Sequence, residues 1–155
     1  MSEEAIKTEL KTELKAKFRT ELPKCTLIVA DDLPPGLAAN TAAVLAATLG
    51  KQIPALIGAD LPDAAGLRHA GLVSVPLPIL SASRAQIKQL WEQAAATDGL
   101  TVVDVTEPAQ RARTYAEYAR TLAETPAETL DYLGVALCGP KKSVTKLTGS
   151  LPLLR

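Results

Sequence analysis

Three short stretches hold side chains that could do chemistry. Asp31 and Asp32 stand together between the apolar run Thr26-Leu27-Ile28-Val29-Ala30 and the stiff Leu33-Pro34-Pro35-Gly36 turn. Adjacent carboxylates could serve as acid and base, hold a cation or pair with lysines. Neighbours on an extended chain point apart, however, so the two are not expected to face one substrate. Asp also favours turns, where its side chain bonds nearby backbone, and a turn-making role is the alternative. The second stretch is Gly139-Pro140-Lys141-Lys142. Its lysines fall in the first turn of an expected helix, where the positive end of the dipole disfavours cations. The free N–H groups of such a turn seat an anion, which both ammonium groups would also meet. Two solvated lysines, costing about 0.3 kcal/mol or more each, are the plainer reading. The third is Glu107, a carboxylate just beyond a strand-like run.

Other chemistries lack a signature. There is no G-x-G-x-x-G, P-loop or G-x-S-x-G pattern, and no His/Cys cluster with metal-ligand spacing, so neither cofactor nor metal is expected. His69 is the only histidine and reads as a surface-loop residue. Cys25 and Cys138 lie far apart in the chain and form no C-x-x-C pair. They read as two buried hydrophobes in a reducing compartment.

The elements that position these residues follow from periodicity. Residues 26–30 form a buried strand rich in β-branched side chains, and an alanine-rich helix runs from the Pro34-Pro35 turn to Gly50. Residues 55–57 suggest a short edge strand and 58–66 a loop. Residues 72–80 give a second strand-like run. Pro76 and Pro78 cannot donate to a ladder, which places its later part at an edge or outside the sheet. Ser81 or Ser83 caps a clear helix whose Ile87, Leu90, Trp91 and Ala94 share a face, ended by Gly99. Residues 100–105 form a third strand. Pro108 opens a helical segment through Ala123, and residues 133–137 form a fourth buried strand before Gly139. A short helix to Gly149 and an edge segment at 151–154 close the chain. Strand and helix alternate throughout, which argues for an α/β sheet covered on both faces, a three-layer arrangement.

Composition limits the partners. The chain has 155 residues, the size of one domain, and is 47% hydrophobic. Seventeen basic residues balance seventeen acidic ones, so no overall field draws it to nucleic acid or anionic lipid. Aromatic side chains for base stacking are few. No apolar stretch approaches the roughly 20 residues that span a bilayer. The N-terminus, with Glu3 and Glu4 and no apolar core, is unlike a secretory signal, and a cytoplasmic protein is expected. Residues 1–23 differ in texture, repeating Lys-Thr-Glu-Leu at 7–10 and 11–14. Ile6, Leu10, Leu14, Phe18 and Leu22 recur every four residues, the stripe of an amphipathic helix that could dock on the domain or on a second subunit. A mobile tail is the alternative. Residues 24–155 make a single domain.

Residues 133–155, with a strand, Gly-Pro turn, short helix, Thr148-Gly149 and final apolar segment, resemble the closing part of type-II peptidyl-tRNA hydrolases. Residues 29–46 resemble their first strand, Asp-Leu turn and helix, and Gly99-Leu100-Thr101-Val102 the start of their third strand. Asp32-Leu33-Pro34-Pro35-Gly36 with Asn40, and Leu56-Ile57-Gly58, resemble more closely an uncharacterised bacterial family, the domain of unknown function two-thousand, which shares the hydrolase fold. The resemblance covers residues 24–155 and implies a four-stranded mixed β-sheet between helices, and a homodimer as one assembly. Where the hydrolases carry the lysines and histidine of their site, this chain has Pro35, Leu37 and Val44. Their aspartate after the third strand falls near Glu107. Apolar Leu37 and Val44 supply neither positive charge nor proton transfer.

The expected protein is a non-hydrolase relative on this fold that binds a small anionic ligand or a partner at the carboxyl rim of the sheet. Asp31, Asp32, Gly36, Asn40, Glu107, Gly139, Lys141 and Lys142 would form that rim. Gly36 would permit close backbone approach, Asn40 would offer an amide and the two lysines charge. A hydrolase acting on peptidyl-tRNA or a related acyl ester with a rearranged site is the rival reading.

Overall fold

The computed structural model describes residues 2–20 and 22–155. Helix α1 (Glu3–Thr20) precedes β1 (Lys24–Ala30), α2 (Pro35–Gln52), a small hairpin of β2 (Leu61–Pro62) and β3 (Arg68–His69), then β4 (Ile79–Ala82) and α3 (Arg84–Ala95). After these come β5 (Thr101–Thr106), α4 (Glu107–Arg111), α5 (Tyr115–Glu124), β6 (Tyr132–Gly139) and α6 (Lys141–Thr148).

Four strands form one mixed sheet in the order β4-β1-β6-β5. β4 is parallel to β1, whereas β6 is antiparallel to both of its neighbours, β1 and β5. β6 is central and covered on both faces, which is why its residues are apolar without alternation. Alternation along β1 sends Leu27 and Val29 to one core and Ile28 and Ala30 to the other. Helix α2 closes the first core with Ala38, Ala42, Leu45 and Leu49, a helical spacing of small and aliphatic side chains. Its approach is close because β6 presents Gly134 beneath it. A Cβ at Gly134 would stand 2.6 Å from the Thr41 methyl and 3.0 Å from Leu45. Helix α3 closes the other core with Ile87, Leu90 and Ala94. Ser83 starts it through a capping box, accepting from the Gln86 N–H while the Gln86 side chain accepts from the Ser83 N–H.

The edge placement expected for the proline-broken run holds. Pro76 and Pro78 precede the short β4, and the Pro78 carbonyl accepts from the Leu27 N–H at 3.0 Å. The C-terminal segment covers the outer side of β4, with Leu154 N–H donating to Ile79 and Ser81 N–H to Pro152. Three local expectations change. Pro54–Leu56 is a single 3-10 turn, and only Ile57 makes a bridge, to Val73. The stretch 58–66, read as a loop, holds β2 and the turn of a hairpin that β3 completes just beyond it, and on this hairpin Asp63 accepts from His69 at 3.0 Å. The helical segment after Pro108 is two helices, because Thr114 caps α5 by accepting from the Glu117 N–H.

The largest correction concerns direction. Since β6 runs against β1, Gly139 pairs with Lys24 and not with the Asp31 end. β1 is seven residues long, about 20 Å at the usual rise, so Gly139, Lys141 and Lys142 lie at the far end of the sheet from Asp31 and Asp32. The single rim expected from sequence does not form. Helix α1 is present, with Ile6 and Leu10 exposed. The side chains of Leu14 and Phe18 lie outside the described residues.

Candidate functional site

Four chain segments meet where β1, β4 and β5 end and β6 begins. Across the sheet, from β4 to β5, they present Arg84, Asp32, Asp131 and Glu107. Arg84 is the first residue of α3, a position where the helix dipole opposes a cation. Two carboxylates offset this. Arg84 Nε lies 3.0 Å from Asp32 Oδ2, and its Nη1 donates to Asp131 Oδ2 at 2.6 Å. Hydrogen bonding to Asp131 first, and to Asp32 second, holds the guanidinium more firmly protonated than usual. Asp131 is also fixed through its backbone, since its carbonyl accepts from the Glu107 N–H at 2.9 Å.

Glu107 opens α4, where the dipole favours a carboxylate, and Pro108 follows it at a position that needs no N–H. One turn later, Arg111 Nη2 reaches Glu107 Oε1 at 2.6 Å. This pair differs from the Arg84 cluster in exposure. The Arg111 side chain is 80% exposed, against 34% for Arg84. Contacts of this exposed i,i+4 kind contribute about 0.5 kcal/mol or less, so Arg111 can be drawn away at little cost.

The two arginines line one cleft of about 260 Å³ together with the apolar Leu33, Pro34 and Leu37 and with Gln110. A second cleft of about 190 Å³ shares Glu107 and Arg111 and runs on between α4 and α5 towards Thr125 and Asp131. The arrangement offers fixed and movable guanidinium groups, carboxylate acceptors and apolar lining. That combination can bind a small polar molecule by its acceptors and donors at once.

Of the residues singled out from sequence, Asp32 and Glu107 line this cleft. Asp31 is on the same rim, with its N–H donating to Ala82, and its side chain is exposed. Gly36 and Asn40 lie in the first turns of α2, exposed and outside the lining; nothing stands within 4 Å of a Cβ built on Gly36. Gly139, Lys141 and Lys142 are at the opposite end. There Lys141 lines a different cleft of about 300 Å³ with Leu22, Lys24, Cys25 and Pro78. Arg84, Asp131 and Arg111 were not anticipated. A signal for Arg84 existed, since a cation directly after the Ser83 cap breaks the same rule that drew attention to Lys141. Asp131 had none, because its place depends on the direction of β6.

A further carboxylate lies on the α3 face of β5. Asp104 is half-buried and accepts from the indole Nε1 of Trp91 at 3.0 Å. Burial pushes its carboxyl above the ordinary aspartate value, and the Trp91 hydrogen bond partly opposes the shift. Trp91 in turn packs against Tyr132, with ring centroids 5.2 Å apart. Among the described residues, no group of three or more His, Cys, Asp or Glu side chains could hold a metal ion. No described helix is long and apolar enough to cross a membrane.

No curated protein matches the chain. The solved structure of a protein of unknown function from Agrobacterium tumefaciens is similar, with a TM-score of 0.77 and 22% identity. The match covers 84% of this chain and 96% of that one, and at this identity it shows a shared fold alone. The family model described as "Protein of unknown function (DUF2000)" matches residues 23–155, and the chain belongs to that family.

Proposed function

We propose that the protein is a small-molecule-binding domain without hydrolase chemistry, and that its ligand occupies the cleft between Arg84 and Arg111. One observation carries this reading: a guanidinium fixed by two carboxylates and an exposed, singly paired guanidinium line the same partly apolar cleft. The ligand would bring an acceptor, a carboxylate or phosphate, to Arg111 and to the edge of Arg84 that Asp32 and Asp131 leave unused. Glu107, released from Arg111, would accept from an amine, amide or hydroxyl of the same ligand. Each cation in the cleft already has a carboxylate partner. A ligand with both donor and acceptor groups therefore suits it better than a plain anion. The anionic expectation rested on Lys141 and Lys142, which stand about 20 Å away along the strands.

On the likeness to type-II peptidyl-tRNA hydrolases, Leu37 occupies a position of expected positive charge and here lines the cleft. An aliphatic side chain there supports binding over acyl hydrolysis. The test is a thermal-shift and calorimetric screen of amino-acid-like zwitterions, small carboxylates and phosphorylated metabolites. A ligand weakened tenfold or more by Arg111→Ala, and unaffected by the double change Lys141→Ala with Lys142→Ala, is the expected result. Hits indifferent to Arg111→Ala would overturn the assignment. Release of tRNA from peptidyl-tRNA, abolished by Glu107→Ala, would establish the hydrolase reading instead.

A further inference from the structure

Cys25 and Cys138 stand at opposite ends of the sequence, yet the antiparallel register of β1 and β6 sets them directly opposite each other. Each is 1% exposed, and both belong to the core beneath α2, so the thiols lie on the same face of the sheet. The type of pairing follows from the other side of β1. Leu27 N–H donates to Pro78 and Asp31 N–H to Ala82, so odd-numbered residues turn their backbone groups towards β4. Backbone groups alternate sides along a strand, so the even-numbered residues exchange hydrogen bonds with β6. Cys25 and Cys138 are therefore a non-hydrogen-bonded pair. Such pairs have Cα atoms about 4.5 Å apart, the closer antiparallel spacing. Disulfides span Cα separations of about 4.4–6.8 Å, so this pair can be bridged without moving a strand.

We infer that Cys25 and Cys138 form a reversible intrachain disulfide joining β1 to β6, made by exchange with a low-molecular-weight disulfide such as oxidised glutathione. One protein thiolate attacks a glutathione sulfur, forming a mixed disulfide and expelling one glutathione thiolate. The second cysteine, deprotonated, attacks the protein sulfur of that mixed disulfide and expels the other glutathione. Two electrons pass to the glutathione disulfide, and the two thiol protons end on the two glutathione thiols. Mutual interaction and burial push the Cys25 thiol up, whereas Cys25 draws the Cys138 thiol down, which makes Cys138 the first of the two to ionise. Cys25 also lines the cleft that holds Lys24 and Lys141, whose charges suit the carboxylates of glutathione. A bond at the short limit of the usual separation is of the strained, readily reduced kind, which fits a switch better than a permanent staple.

The test refolds the full chain from denaturant in glutathione buffers running from fully reduced to fully oxidised, so that burial of the thiols sets no barrier. Free thiols are then alkylated and peptides mapped without reduction. A linked pair of peptides containing Cys25 and Cys138, rising through one midpoint with an intact mass lower by two hydrogens, is expected. The thermal midpoint should be higher in the oxidised form, and this redox dependence should vanish in Cys25→Ser and in Cys138→Ser. Full alkylation of both cysteines at every ratio would overturn the inference. So would glutathione adducts or interchain links as the only oxidised products of the wild-type chain.

Discussion

Arg84 donates to Asp131 at 2.6 Å, tying the first residue of α3 to the residue that precedes β6. The same guanidinium holds Asp32 after β1, so one side chain locks the ends of three adjacent strands. Neither contact is deeply buried, and together they are expected to contribute about 1 kcal/mol once solvent screening is allowed for. Arg84→Ala should lower urea-unfolding stability by about that amount. Arg84→Lys should recover only part, because an ammonium cannot serve both carboxylates in the fork geometry. The loss should shrink in high salt; an Arg84→Ala protein as stable as wild type would mean the cluster is positional only.

Arg111 is the contrasting case. Its contact with Glu107 is exposed, and Arg111→Ala should change stability by less than about 0.5 kcal/mol. Its effect belongs to ligand affinity. A variant that unfolds at the wild-type urea midpoint and yet has lost the ligand is the expected outcome. A large fall in stability would instead assign Arg111 to the scaffold.

Gly134 sets how closely α2 can lie on the sheet. A methyl group there meets Thr41 and Leu45 of α2 and, at 3.1 Å, the Ile28 carbonyl. The Ile28 oxygen cannot yield without shifting β1, nor the buried Thr41 and Leu45 without displacing α2, so Gly134→Ala should cost about 1–3 kcal/mol. Urea unfolding reads this directly. Because α2 carries Leu37 at the cleft, ligand affinity should fall as well.

The main elements could be read from the chain because their signals are local. The β-branched run of β1, the Ser83 cap of α3 and the unbroken apolar run of β6 each follow from a few neighbouring residues. The site was only half legible because it depends on strand direction. A mixed sheet was expected, but not which strand is reversed, and the chain passes through α4 and α5 and enters β6 from the rim where β5 ends. That reversal brings Asp131 to Arg84 and carries Lys141 away. It also pairs Cys25 with Cys138, which no spacing in the sequence could announce.

Helix α1 offers a separate experiment. None of its described residues belongs to either core, and Ile6 and Leu10 are exposed. Deleting residues 1–12 should therefore leave the thermal midpoint of the domain nearly unchanged. Light scattering on the same protein tests the proposed role of this segment in joining subunits. A drop from dimer to monomer mass would establish it, and an unchanged oligomer would exclude it.

Asp104 predicts how stability depends on pH. Burial raises its carboxyl in the folded protein above the ordinary value of 3.8, and the Trp91 hydrogen bond lowers it only in part. The folded state then binds the proton more tightly than the unfolded chain. By linkage this site favours folding less as pH climbs from 3.8 through the raised value, and the penalty is complete above it. Below 3.8 both states are protonated and the penalty is gone. Asp104→Asn keeps an oxygen that can accept from the Trp91 indole and removes the charge. The variant should be more stable than wild type at neutral pH, and its advantage should narrow steadily on acidification towards 3.8. Thermal unfolding of both proteins across that range measures the difference. An offset that does not change with pH would show that folding leaves the Asp104 carboxyl unshifted, and a variant less stable at neutral pH would show that Asp104 is held as a stabilising carboxylate; either outcome would overturn burial as its dominant influence.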